Sequence, residues 1–116
     1  MLSFSSKQRY FLYGAPTDMR KGFAGLGGLV RQHIGHELMS GDMFIFLNGR
    51  RNRIKLLMWD VTGFALYYKK LERGTFELPN AARDSTLELS WSDLAMLLEG
   101  IELKSARRRK RYGHVT

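Results

Sequence analysis

The sequence contains no cysteine, only two prolines and no apolar run close to the roughly 20 residues that a membrane-spanning helix needs. Without cysteine, neither a disulfide nor a thiolate metal site can form. The opening segment "MLSFSSKQRY" lacks the basic region and apolar core of a secretory signal, so we expect a cytoplasmic protein. A chain of 116 residues with 44% hydrophobic and 26% charged residues is typical of one compact soluble domain.

Acidic side chains are also scarce, because 11 Asp and Glu stand against 19 Lys and Arg, for a net charge of +8. The excess is concentrated after residue 103, where the chain has no acid and six basic residues: Lys104, Arg107, Arg108, Arg109, Lys110 and Arg111. Residues 1–103 carry the remaining +2. We predict a single globular domain over residues 1–103 and a basic, flexible tail over residues 104–116 that binds a polyanion. A tail that only keeps the protein in solution is the alternative.

Runs of aromatic and β-branched residues predict an α+β fold with an antiparallel sheet of about four to six strands. The segments "MFIFLN", "RIKLLMWD" and "FALYYKKL" are separated by short turns and predict a central three-stranded meander over residues 43–71. The segment "RYFLYG" predicts one strand before the meander. After it, "TFEL" predicts a short edge strand, residues 79–85 a loop and "TLELS" a last strand.

Two helices complete the predicted fold, one N-terminal and one C-terminal. The first has Thr17 or Asp18 as its cap, ends near Gly35 and carries an apolar stripe at helical spacing: Met19, Phe23, Leu26 and Val30. The second begins after Ser90, which has Asp93 three residues on, and is predicted from Trp91 to Glu99, with a stop at Gly100.

The turn between "RIKLLMWD" and "FALYYKKL" predicts that Trp59 pairs with Phe64, which places Lys55 opposite Tyr68 on one face of the sheet. That face mixes cations and rings: Arg53, Lys55, Leu57, Trp59, Phe64, Leu66, Tyr68 and Lys70. The other face, which includes Leu56, is predicted to form the core under a helix. The mixed face has two interpretations. It is either a surface on which rings stack bases and cations hold phosphates, or a face that the second helix covers while its basic ends reach water.

No catalytic or cofactor constellation stands out. His33 and His36 are three residues apart, but no further ligand at a suitable spacing completes a metal site. The glycines of "KGFAGLGG" do not fit a dinucleotide-binding loop, which would need a third glycine where Val30 stands, and no Gly-Lys-Ser/Thr triplet follows. The carboxylates are scattered. We therefore expect no enzyme, no cofactor and no metal.

Three segments resemble a known family. "PTDMRKGFAGLGGLV", "FIFLNGRRNRIKLLMWDVTGFALYYKKLERGTFELP" and "LAMLLEGIEL" are similar to the TnpB-type accessory proteins of insertion sequences of the IS66 type. The resemblance covers about Tyr10 to Glu102, and the basic tail lies beyond it. It implies a role in the transposition of a bacterial mobile element, beside a separate and larger transposase that is expected to cut and join DNA.

We therefore expect a non-catalytic accessory protein that binds DNA or the transposase–DNA assembly, and no membrane or small-molecule substrate. Phosphate contacts are predicted at basic residues throughout the chain: Arg20, Lys21, Arg50, Arg51, Arg53, Lys55, Lys69, Lys70, Lys104, Arg107, Arg108, Arg109, Lys110 and Arg111. Stacking or partner contact is predicted at Trp59, Tyr67 and Tyr68. The alternative is an adaptor that docks on the transposase without contacting DNA.

Overall fold

The computed structural model describes residues 8–100, which form five strands and two α-helices. The predicted tail, residues 104–116, lies outside the described residues. In chain order the elements are β1 (Tyr10–Tyr13), α1 (Phe23–Leu29), which continues as a π-helical turn (Val30–Ile34), β2 (Met43–Leu47), β3 (Arg53–Asp60), β4 (Gly63–Lys70), a 3₁₀ turn (Asn80–Ala82), β5 (Thr86–Leu89) and α2 (Trp91–Leu98).

The strands form one sheet in the order β4-β3-β2-β1-β5. The predicted meander is present as β2, β3 and β4, which pair antiparallel, but it occupies one side of the sheet rather than its centre. The sheet is mixed and not purely antiparallel, because β1 pairs with β2 in parallel. The connection between these two strands contains α1, and a crossover through a helix returns the chain in the same direction.

The predicted pairing of β3 with β4 is confirmed, since Trp59 lies opposite Phe64 and Lys55 opposite Tyr68. The predicted edge strand at residues 75–78 is wrong. Phe76 is instead fully buried, and its N–H donates to the carbonyl of Arg51 at 2.6 Å. This contact fastens the segment after β4 to the loop between β2 and β3.

The predicted start of the first helix is also wrong, because α1 begins at Phe23 and has Gly22 as its cap. Thr17 is buried and its N–H donates to the carbonyl of Leu47 at 2.8 Å, which ties this part of the chain to the end of β2. The helical segment ends at Gly35, whose φ of 76° is in the left-handed region. At α2, the hydroxyl of Ser90 accepts the N–H of Asp93 at 3.1 Å.

The core has two layers, one on each side of the sheet. On one side, α2 packs Leu94 and Leu97 against Leu56 and its neighbours. On the other side, α1 packs Leu26 against a cluster that includes Leu57, Phe44, Phe46, Phe64 and Leu66. The mixed face is therefore covered by the N-terminal helix and not, as one interpretation predicts, by the C-terminal one. At one end of this face a cleft opens near Arg53 and Lys70, while Trp59 and Phe64 at the other end are half-buried.

Candidate nucleic-acid interface

A cleft of about 490 Å³ opens at the end of the mixed face. Three segments that are distant in sequence form its walls: the turn before α1, the loop between β2 and β3, and the end of β4. Its lining residues are Thr17, Asp18, Met19, Arg20, Asn48, Arg50, Asn52, Arg53, Tyr68 and Lys70. The cleft thus brings together Tyr68, which the sequence predicts as a stacking or partner contact, and four predicted phosphate contacts: Arg20, Arg50, Arg53 and Lys70.

Lys55 does not line the cleft but is buried next to it, with an exposed fraction of only 6%. Its ammonium group donates to the carbonyls of Met19 at 2.7 Å and Lys21 at 2.8 Å. It also lies 4.7 Å from the centre of the Tyr68 ring, a cation–π distance. An ammonium with these partners has no freedom to reach a phosphate, so we no longer expect Lys55 to contact DNA. Its place is structural, because it fastens the turn before α1 onto the sheet.

The turn before α1 is closed by an ion pair between Asp18 and Arg20. The guanidinium donates to both carboxylate oxygens, with the shortest distance 2.8 Å, and the N–H of Arg20 donates to the same group at 2.9 Å. These hydrogen bonds from Arg20 lower the pKa of Asp18 to about 2, the side-chain bond being the larger cause. The carboxylate in turn raises the pKa of Arg20. The charge of Arg20 is therefore already neutralised within the turn.

The loop between β2 and β3 is shaped by Asn48. Its side-chain oxygen accepts the N–H groups of Asn52 at 3.0 Å and Arg53 at 2.9 Å, and its NH₂ donates to the Asn52 side chain at 2.7 Å. Both Arg50 and Arg51 are exposed on this loop. They point to different places, because Arg50 lines the basic cleft while Arg51 borders a separate cavity of about 160 Å³ beside Pro16.

The cleft is strongly cationic. Four basic residues line it against one carboxylate, that of Asp18, so its formal charge is +3. Within residues 8–100, no carboxylate lies at ion-pair distance from Arg50, Arg53 or Lys70. A concave surface with several unpaired cations concentrates its field on a bound anion.

Tyr68 is the aromatic component of the cleft. It is 48% exposed, and its hydroxyl accepts a hydrogen bond from the Arg53 guanidinium at 3.0 Å. The neighbouring Tyr67 points to the other side of the sheet, where it packs against the core under α2. Alternation along β4 therefore gives the two tyrosines different surroundings.

The other predicted contacts lie elsewhere. The ammonium of Lys69 donates to the carbonyl of Leu98 at 2.6 Å, at the C-terminal end of α2, where a cation is favoured by the helix dipole. Lys21 is exposed but does not line the cleft. Trp59 packs edge-on against Phe64 with ring centres 5.0 Å apart, six residues along β3 from Arg53, which is about 20 Å.

The basic residues after 103 lie outside the described part of the chain, which ends at Gly100. Gly100 lies beside the side chain of Leu71, which directly follows Lys70 of the cleft. Leu71 itself packs on the α2 side of the sheet, on the face opposite the cleft.

Five of the ten lining residues were not predicted as contacts: Thr17, Asp18, Met19, Asn48 and Asn52. Thr17 and Asp18 are predicted only as helix caps, and Met19 only as part of the apolar stripe. The turn signal "NGRRN" marks the asparagines as loop formers, but Met19 contributes its backbone, which leaves no sequence pattern.

The histidines and carboxylates of residues 8–100 do not cluster into a metal site. No group of three His, Cys, Asp or Glu residues in this region could hold a metal ion. His36 stacks on Phe11 with ring centres 4.1 Å apart, whereas His33 lies beside Tyr13. In the same region, no helix has the length and apolar character to cross a membrane.

A mixed five-stranded sheet between two helices, with a basic cleft and no metal cluster among the described residues, defines a small α+β protein. A family model described as "IS66 Orf2 like protein" matches residues 8–108. The chain belongs to this family, and its role is that of an accessory protein of an insertion sequence.

Two similar proteins come from Sinorhizobium fredii. The chain is 30% identical to the protein y4jC over 109 residues, which is 94% of this chain and 92% of the relative. It is also 30% identical to y4hO over 102 residues, which is 88% of each chain. No solved structure matches the sequence.

Proposed function

We propose that the protein is a non-catalytic accessory factor that binds DNA during transposition through the basic cleft. The observation that carries this proposal is the convergence of Arg50, Arg53 and Lys70 on one concave surface, with no carboxylate partner for any of them within residues 8–100. Unpaired cations in such a position are favourable contacts for phosphate oxygens.

The segments that carry the family resemblance support the same proposal. "TDMRKG" forms the turn at one wall of the cleft, "RIKLLMWD" begins with Arg53 at its floor, and "YYKK" contributes Tyr68 and Lys70. Lys55 joins the first segment to the second by its two hydrogen bonds and approaches the third through the Tyr68 ring. The tail after residue 103 would add cations to the same anionic partner.

A matched pair of double variants tests the proposal. Arg50→Ala with Lys70→Ala removes two exposed cations from the cleft, and Arg31→Ala with Arg83→Ala removes two exposed cations from outside it. Both variants lower the net charge equally. DNA affinity is measured by fluorescence anisotropy over a range of salt concentrations.

We expect the cleft variant to flatten the slope of log affinity against log salt by about 2 and the control variant to leave most of the slope intact. Equal slopes for the two variants would show that DNA binding does not depend on the cleft. A wild-type slope near zero would remove DNA binding altogether.

A second candidate function is docking on the transposase of the same element. It is favoured by the turn between β3 and β4, where Val61 is 83% exposed beside the Trp59 and Phe64 pair. In this case Trp59→Ala should abolish co-purification with the transposase and leave the salt-dependent DNA binding unchanged. The DNA-binding proposal instead predicts that the cleft variant loses salt-dependent DNA binding and still co-purifies with the transposase.

A further inference from the structure

We propose that the cleft takes single-stranded DNA, with one unstacked base on the Tyr68 ring and neighbouring phosphates on Arg50 and Lys70. This inference rests on the proposed DNA-binding function and specifies the state of the DNA that the cleft recognises. It is carried by the position and fixation of Tyr68.

Tyr68 is held in place before any ligand arrives. Its hydroxyl receives the hydrogen bond from Arg53 at 3.0 Å, and the buried ammonium of Lys55 lies 4.7 Å from its ring centre. About half of its surface nevertheless remains exposed to the cleft. A fixed, partly exposed ring loses little freedom when a base stacks on it, and every base has a π-face that can do so.

The cations around the ring are placed for a backbone and not for base edges. Lys70 follows Tyr68 by two residues on the same face of β4, a separation of about 7 Å along the strand. Arg50 approaches from the loop between β2 and β3 on another wall of the cleft. A DNA strand with one base on Tyr68 would therefore have Lys70 on one side of its sugar–phosphate backbone and Arg50 on another.

The shape of the site disfavours a duplex. In the major groove of double-stranded DNA, base edges are commonly read by a helix or a β-ribbon that enters the groove, whereas this site is a cleft between the turn before α1 and the loop between β2 and β3. Bases inside a duplex also have both faces covered by their stacked neighbours. Only an unstacked base can present a face to Tyr68, as in single-stranded or flipped-out DNA.

The test compares three labelled DNA ligands of equal length: oligothymidylate, a sugar–phosphate chain with abasic sites at every position, and a duplex. Each is titrated by fluorescence anisotropy against the wild type, Tyr68→Ala and Tyr68→Phe. Trp91→Ala is the matched control, because Trp91 is 45% exposed and does not line the cleft. Circular dichroism melting verifies that each variant is folded.

We expect Tyr68→Ala to weaken oligothymidylate binding by about 5- to 150-fold, the range for loss of one stacked base, and Tyr68→Phe to retain most of the affinity. The abasic ligand should bind the wild type as weakly as oligothymidylate binds Tyr68→Ala. Equal affinity of the wild type for oligothymidylate and the abasic ligand would overturn the inference, as would an equal loss of duplex binding in Tyr68→Ala.

The experiment distinguishes a failure of the single-strand inference from a failure of the proposed DNA-binding function. If the cleft binds DNA only through phosphates, the affinity for all three ligands remains dependent on salt and on Arg50 with Lys70, but is indifferent to Tyr68. If the protein does not bind DNA, none of the ligands shows a salt-dependent affinity.

Discussion

Replacement of Lys55 by methionine tests how the cleft is built. Methionine retains the apolar stem but removes the two hydrogen bonds from the ammonium group to the carbonyls of Met19 and Lys21. A hydrogen bond that involves a charged group contributes about 1.5–3 kcal/mol. Two effects offset part of this loss: water can reach the partly open turn and replace the lost donor, and the ammonium group no longer has to be buried. We therefore expect the free energy of unfolding to fall by about 2–3 kcal/mol.

For a domain of this size, that loss corresponds to a decrease in Tm of roughly 10–20 °C. The measurement is thermal and urea unfolding followed by circular dichroism. Lys69→Met is the control, because its ammonium makes one comparable bond, to the carbonyl of Leu98, at the other side of the sheet. DNA affinity should fall in Lys55→Met and not in Lys69→Met, since only the former loosens a wall of the cleft. A stability of Lys55→Met within about 0.5 kcal/mol of the wild type would refute this reasoning.

Three further predictions follow from individual contacts. Arg20→Ala should return the pKa of Asp18 from about 2 toward its ordinary 3.8, as measured by carboxyl NMR. Because the pair lowers the folded-state pKa of Asp18, its contribution to stability is present above about pH 4 and is lost as the pH falls toward 2. Gly14→Ala should destabilise the fold by about 3 kcal/mol in the same unfolding assay, because the added Cβ would lie 1.6 Å from the carbonyl oxygen of Ala82. Gly28→Ala should instead stabilise the fold by about 0.5–1 kcal/mol, because Gly28 lies in α1 with open space around it. Val61→Gly should raise Tm by roughly 5 °C, because Val61 has a φ of 51° that strains a β-branched residue; an unchanged or lower Tm would contradict this.

The register of the β3–β4 hairpin could be predicted from the sequence because a short turn leaves few ways to pair the two strands. The parallel pairing of β1 with β2 could not, because local patterns reveal hairpins but not the direction of strands that are joined through a helix. The start of α1 was placed too early for a related reason. Thr17 resembles a helix cap in the sequence, but its N–H donates a hydrogen bond to the carbonyl of the distant Leu47.

The candidate site shows the same division between local and distant information. The basic residues of β3, β4 and their loops could be predicted as candidate contacts from the sequence. Whether each one lies in the cleft, in the core or at a helix end depends on which helix or loop covers that part of the strand. Lys55 illustrates this, because its position in an alternating strand gives no sign that a turn 34 residues earlier lies over it. The exposure of Tyr68 and the partial burial of Tyr67 likewise follow from which face each helix covers.

The most direct test of the central claim is an NMR titration of the ¹⁵N-labelled protein with a short DNA strand. Binding in the cleft predicts that the largest amide shifts fall in three segments, residues 17–20, 48–53 and 68–70, and that they saturate together. Largest shifts on α2 or at the turn around Val61, with the cleft segments unchanged, would contradict the account.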